Sequence, residues 1–170
     1  MLLLDLARLD REGTLRVEGQ ITPDDPLWEG TSIRLQDPLC VELRATGARS
    51  GEIIVRGLIE GTLAQECRRC LDPVDVPFRE EVTLVFAPPD PLGSGEDGEI
   101  RVLAAAEREV DLAGPIQEEV ILAAPRWTVC DPECKGLCPH CGCDLNETTC
   151  ECGAADPDPR WDALRALSNE

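Results

Sequence analysis

The sequence predicts an α+β fold: an antiparallel β-meander or partly closed barrel with one main helix and a C-terminal cysteine-rich zinc-binding appendage. Three observations lead there. Apolar and polar residues alternate through the first half of the chain, the mark of half-buried antiparallel strands. After residue 111 the apolar residues recur every four positions, the spacing of one helix face. Seven of the ten cysteines then fall between Cys130 and Cys152.

The strands come first. Leu2, Leu4 and Leu6 alternate with Leu3, Asp5 and Ala7, and Leu15 and Val17 sit between Thr14, Arg16 and Glu18. Leu39, Val41, Leu43 and Ala45 form one apolar face, with Cys40, Glu42 and Arg44 on its reverse. Between Glu52 and Glu66, Ile53, Val55, Ile59 and Leu63 share their parity with Gly57 and Gly61. The clearest alternation is Val74, Val76, Phe78, Val82, Leu84 and Phe86, broken only by Glu80. Residues 47–51 and Asp72-Pro73 supply turns. Residues 88–99, rich in Pro, Gly and acid, read as a flexible acidic loop.

Asp111 is placed to cap a helix running to Ala124, with Leu112, Ile116 and Val120 on one face. Pro115 falls in its first turn, where a missing N–H is tolerated, and Pro125 ends it. The chain thus divides into a mainly antiparallel β domain (1–128, with the helix near 111–124), a zinc-binding module (129–153) and a tail (154–170). In the tail Trp161, Leu164 and Leu167 share helical spacing, which fits a short helix.

At 170 residues, the chain has room for one domain with an appendage and none for a large enzyme with a deep cleft. A formal net charge of −18 opposes broad phosphate-backbone binding and favours basic partners. The N-terminus has no basic segment before its short apolar run, so it does not read as a signal peptide. The longest apolar stretches, 102–106 and 120–125, fall far short of the ~20 residues that cross a bilayer. A cytoplasmic protein with no membrane contact is expected, and in that compartment cysteine density points to metal before disulfides.

Zinc takes four thiolate or imidazole ligands, usually delivered as short pairs. Cys67-Arg68-Arg69-Cys70 lies between two predicted strands, at a hairpin tip. Cys130 and Cys134 make a second pair, Cys138-Pro139-His140-Cys141-Gly142 has the form of a zinc knuckle, and Cys150-Glu151-Cys152 is the tightest pair. Local loop closure groups Cys138 and Cys141 with Cys150 and Cys152, and leaves Cys67 and Cys70 to join Cys130 and Cys134. Two structural zinc ions with eight ligands would result, the second site clipping the appendage to the hairpin. Cys40 and Cys143 are spare in this grouping, and His140 points to solvent. A rival grouping is one local site of Cys130, Cys134, Cys138 and Cys141. A thiol-redox pair at Cys67 and Cys70 is a further alternative, with Arg68 and Arg69 depressing the thiol pKa values.

No enzyme is expected. One histidine and no tyrosine leave few groups for acid–base work near neutral pH. No nucleophile elbow, phosphate-binding loop or dinucleotide fingerprint is present, so no small-molecule substrate is implied. Glu80/Glu81 and Glu118/Glu119 read as solvated faces.

These pieces together resemble the YceD family, formerly a domain of unknown function. Glu66-Cys67-Arg68-Arg69-Cys70-Leu71 precedes an alternating strand, and Val110-Asp111-Leu112 leads to Glu118-Glu119-Val120-Ile121-Leu122-Ala123-Ala124-Pro125. Then come Cys130 and Cys134, Lys135-Gly136-Leu137-Cys138-Pro139-His140-Cys141-Gly142-Cys143-Asp144-Leu145-Asn146, the Cys150/Cys152 pair, and Asp158-Pro159-Arg160-Trp161. Cys143 looks like an addition to the family pattern. The resemblance implies a role in accumulation of large-subunit (23S) ribosomal RNA, hence in ribosome biogenesis, and no known enzymatic activity. An acidic protein in that role is expected to act through a basic ribosomal protein or ribosome-assembly factor, its contact with rRNA being indirect. The alternative is a direct nucleic-acid-binding zinc protein, for which Arg56, Arg68, Arg69 and Arg79 come nearest to a basic patch.

Overall fold

A charge in the middle of an apolar run decides how the chain starts. Asp5 ends a three-residue strand, β1 (Leu3–Asp5), and caps the helix that follows, α1 (Leu6–Glu12), by accepting the Arg8 N–H at 2.8 Å. The expectation that the alternation runs on through Leu6 is therefore corrected: a capping carboxylate outcompetes a weak period-two pattern. Gly13, at φ 73°, ends α1 and releases the chain into β2 (Thr14–Ile21). The computed structural model describes residues 2–89, 100–103, 107–153 and Arg160. Residues 90–99 of the expected acidic loop and the tail helix expected at 154–170, apart from Arg160, lie outside these.

β2, β3 (Leu39–Gly47), β4 (Ile53–Glu66) and β5 (Pro73–Ala87) pair antiparallel in sequence order, and β6 (Ile100–Val102) adds in parallel to β5. The sheet, in the order β2-β3-β4-β5-β6, is not closed into a barrel; of the two forms expected, the meander is the one observed. The short strand β7 (Glu109–Asp111) pairs with β1 in a separate two-stranded ribbon. The main helix, α2 (Ala113–Ala123), follows β7 directly, and Asp111 accepts the Ala113 N–H at 3.0 Å. Among the described residues α1 is thus an α-helix not expected from the sequence, beside the expected main helix α2.

The inward face carries the alternation. Leu39, Val41, Leu43 and Ala45 of β3 are buried with Ile53, Val55, Ile59 and Leu63 of β4 and with Phe78, Val82, Leu84 and Phe86 of β5. α2 lays Ile116 and Val120, both fully buried, over this face. Arg101 on β6 pairs with Glu118 at 2.6 Å and Glu119 at 3.7 Å, so these carboxylates tie the helix to the sheet edge; they are not merely solvated. Trp28 is buried, its indole N–H donating to the Thr22 carbonyl at 3.1 Å.

The outer face is charged in rows. Arg16, Arg44 and Arg56 stand directly across from one another on β2, β3 and β4. The next row holds Glu18 and Glu42 and, past Leu58, Glu81. Like charges directly opposite are unfavourable, and the adjacent row of opposite sign offsets them, as in the Arg16–Glu18 pair at 3.5 Å.

Gly57 lets the strands approach. A Cβ there would stand 2.0 Å from the Glu42 carbonyl oxygen of β3. That oxygen belongs to backbone and cannot move aside. Gly57→Ala is therefore expected to destabilise the fold by about 2–3 kcal/mol in urea unfolding. Gly114→Ala, where nothing lies within 4 Å and the residue is helical, should be neutral or stabilising by about 0.5 kcal/mol.

Candidate metal centres

The β4–β5 hairpin ends in a tight turn that aims two sulfurs inward. The Cys67 N–H donates to the Asp72 carbonyl at 2.8 Å and the Leu71 N–H to the Cys67 carbonyl at 3.0 Å. The same turn recurs at Cys138–Gly142, where the Gly142 N–H donates to the Cys138 carbonyl at 2.9 Å. In both, the residue after the second cysteine is left-handed: Gly142 at φ 74° and Leu71 at φ 69°. Glycine adopts that conformation freely; leucine does so under strain, held by the structure around it.

The structure brings the sulfurs together in two foursomes: Cys67, Cys70, Cys130 and Cys134, and Cys138, Cys141, Cys150 and Cys152. Within each, all four sulfurs lie within 4.8 Å of one another. A tetrahedral ion with metal–sulfur bonds of ~2.3 Å needs sulfurs about 3.8 Å apart. Cys67 and Cys134 are 3.9 Å apart, Cys70 and Cys130 3.5 Å, and Cys138 and Cys150 3.4 Å. The donor set, all sulfur, suits a thiophilic ion such as zinc. Cys40 lies far from both groups, on the outer face of β3 beside Gln20.

Electrostatics explain why each foursome wants a cation. The backbone N–H of Cys70, with those of Cys130 and Arg69, holds the Cys67 thiol down to about 6 despite its burial. The N–H groups of Cys141 and His140 do the same for Cys138, also to about 6. The neighbours move the other way. Cys70, although the Asp72 N–H favours its thiolate, is pushed up by burial and by the thiols of Cys67 and Cys130. Cys130, although helped by Cys70, is raised by Cys134 and by burial. Cys152 is pushed up to about 12, first by Cys141. Crowded thiols without a cation cannot all ionise; a divalent ion removes that conflict, so metal binding releases protons and weakens as pH falls.

The first foursome spans the chain. Cys67 and Cys70 come from the hairpin, Cys130 and Cys134 from the segment after α2, and Val74, Val129 and Leu137 pack around them. Backbone contacts join the same parts. The Arg68 N–H donates to the Thr128 carbonyl at 2.9 Å and the Leu137 N–H to the Arg69 carbonyl at 3.0 Å. Gly136 makes this approach possible, since a Cβ there would stand 2.8 Å from the Arg69 oxygen.

Two arginines take a different part from the one expected. The Arg69 guanidinium donates to the Pro132 carbonyl at 2.9 Å and the Cys134 carbonyl at 2.8 Å, and Arg68 to the Arg126 carbonyl at 3.2 Å. Their side chains satisfy backbone oxygens of the crossing segment, and backbone N–H groups lower the Cys67 thiol. Cys67 is also fully buried, whereas a reactive thiol is partly exposed. The four arginines that come nearest to a basic patch are differently engaged too: Arg79 is paired with Glu60, and Arg56 sits in the outer-face row.

Asn146 was not singled out by the sequence. Its amide donates to Cys134 Sγ at 3.3 Å while its oxygen accepts the Lys135 N–H at 2.7 Å. It lies on the loop between the second group's cysteine pairs and orients a sulfur of the first. Only its place in the motif Cys143-Asp144-Leu145-Asn146 could have signalled this.

The family model of the large ribosomal RNA subunit accumulation protein YceD matches residues 55–168 of the chain. The chain belongs to the YceD family. The YceD match covers the hairpin, α2 and both cysteine foursomes. An uncharacterized protein of Mycobacterium tuberculosis is 32% identical over 95% of this chain and 78% of its own length. A maize protein, the chloroplastic large ribosomal RNA subunit accumulation protein YCED homolog 1, is 27% identical over 73% of this chain and 52% of its own length. The Arabidopsis thaliana homolog of the same name is 33% identical over 37% of this chain and 20% of its own length. No solved structure matches. YceD membership implies a role in accumulation of large ribosomal subunit RNA, and the family is described by that role, not by a reaction. Among the described residues no helix is long and apolar enough to cross a membrane.

Asn146→Ala is expected to lower metal affinity at the first foursome by about 10- to 100-fold, the usual cost of losing a group that orients a ligand. Competition with a chromophoric zinc chelator measures it. Affinity at the second foursome should stay nearer its original value, because Asn146 donates to Cys134 and to no sulfur of that group.

Proposed function

We propose that this YceD protein is a non-enzymatic, zinc-stabilised factor of the cytoplasm that serves large-subunit rRNA accumulation by holding a basic ribosomal protein or ribosome-assembly factor. Two zinc ions are its structural cofactors, one held by Cys67, Cys70, Cys130 and Cys134 and one by Cys138, Cys141, Cys150 and Cys152. Four sulfur ligands fill a tetrahedral shell, so neither ion keeps an open position for a substrate. Residues 129–153 act as the zinc-binding module on a β domain spanning 1–128.

One observation carries the choice of partner. Beside the first foursome lies a recess of about 350 Å³ lined by Asp72, Asp131, Glu133, Asp144 and Glu147. A cluster of carboxylates on a protein of net charge −18 attracts lysine and arginine side chains and repels phosphate. A basic protein thereby meets a charged socket at the place where hairpin and appendage join. rRNA is reached through that protein.

A second reading has its own support. A groove of about 680 Å³ between β4 and the end of α2 is lined by Arg34, Arg68 and Arg126, and exposed Trp127 follows Arg126 in the chain. Arginine beside an exposed aromatic ring suits a nucleic-acid strand, which would make rRNA contact direct.

Purified protein incubated at physiological salt with 23S rRNA alone, and separately with a pool of basic large-subunit proteins, separates the two. Retention of basic protein, lost on raising salt and weakened by Asp131→Asn with Glu133→Gln, is the expected result. Retention of rRNA with no protein present, abolished by Trp127→Ala, would overturn the basic-partner reading in favour of direct binding.

A further inference from the structure

Cys143 belongs to neither foursome, yet its sulfur stands 3.4 Å from that of Cys141. Its backbone is firmly placed. The Cys138 N–H donates to the Cys143 carbonyl at 2.9 Å, and the next residue, Asp144, forms a bridge with Leu137. The side chain is half-buried, with Thr148 and Cys150 also beside it. Cys152 is exposed and faces Cys141 and Cys138 from a segment without such backbone bonds among the described residues. A fifth sulfur thus stands beside two of the four that a tetrahedral ion would take.

We propose that Cys143 is an alternative fourth ligand of the second centre, exchanging with Cys152. The inference rests on the reading of Cys138, Cys141, Cys150 and Cys152 as a metal site. In the exchange the Cys143 sulfur bonds to the ion as the Cys152 sulfur leaves, and Cys152 takes up the proton that Cys143 gives up. Charge, ligand type and oxidation state are unchanged, so the ion keeps an all-sulfur shell throughout. The rigid turn around Cys138–Cys143 then holds three ligands by itself, with Cys150 as the fourth. The chain beyond Cys150 is released from the ion without losing it. A protein with this device can detach its last ligand when Cys152 is engaged elsewhere.

The test is native mass spectrometry of the zinc-loaded full-length chain, with absorption of the cobalt-substituted form reporting the sulfur shell. Cys152→Ser and Cys143→Ser should each retain two zinc ions and an all-sulfur cobalt spectrum. The double substitution should retain one ion, and the ion left at the first foursome shows that the chain is still folded. A Cys152→Ser protein that holds a single ion overturns the exchange, as does a double variant that holds two. A wild-type chain that binds one ion, with its count unaltered by Cys138→Ser, overturns the underlying metal reading and the exchange with it.

Discussion

The structure depends on a crossing. A hairpin tip at Cys67–Cys70 and the segment that leaves α2 are 60 residues or more apart in sequence, yet they share a cluster of four sulfurs. The residues between the sulfurs reinforce it. Arg69 presents its guanidinium to two carbonyls of the crossing segment, and its own carbonyl accepts the Leu137 N–H. A guanidinium cannot lose its charge, so these hydrogen bonds persist at any physiological pH. The sheet positions the hairpin, and the hairpin positions the segment from Arg126 to Leu137. An ion bound among the four sulfurs would add to a junction already prepared by backbone contacts, and structural zinc in small modules contributes about 10–16 kcal/mol.

That junction also sets the electrostatic character of the molecule. Thiols packed this closely resist joint ionisation, and the turns of both knuckles answer with backbone N–H groups aimed at the first sulfur of each. The carboxylates of Asp72, Asp131 and Asp144 stand close by, and an all-thiolate zinc shell is itself anionic. Negative charge therefore gathers in the recess at the junction, while the groove between β4 and the end of α2 is lined by arginines. The two partner chemistries, basic protein and nucleic acid, correspond to these two linings.

Most of the fold was legible because strand alternation and burial share one cause. The faces of β3, β4 and β5 follow from parity, and Pro125 marks the end of α2. α1 was hidden because Asp5 reads as an interruption of a strand and acts as a helix cap. Closure into a barrel depends on tilt and shear along β2–β6, which alternation does not encode. The two cysteine foursomes were legible from spacing and loop closure. The partners of Arg68, Arg69 and Asn146 were not, since they are carbonyls and a sulfur brought near only by tertiary structure. Cys143 looked spare because its spacing duplicates a pair already used; its 3.4 Å approach to Cys141 is a fact of the folded loop.

The central claim is that one ion joins hairpin to appendage while another lies within the appendage. Counting zinc by native mass spectrometry on Cys67→Ser, with Cys40→Ser as control, tests it most directly. The account predicts two ions per chain in the control and one in Cys67→Ser. Two ions in both would contradict it, because the hairpin would then hold none.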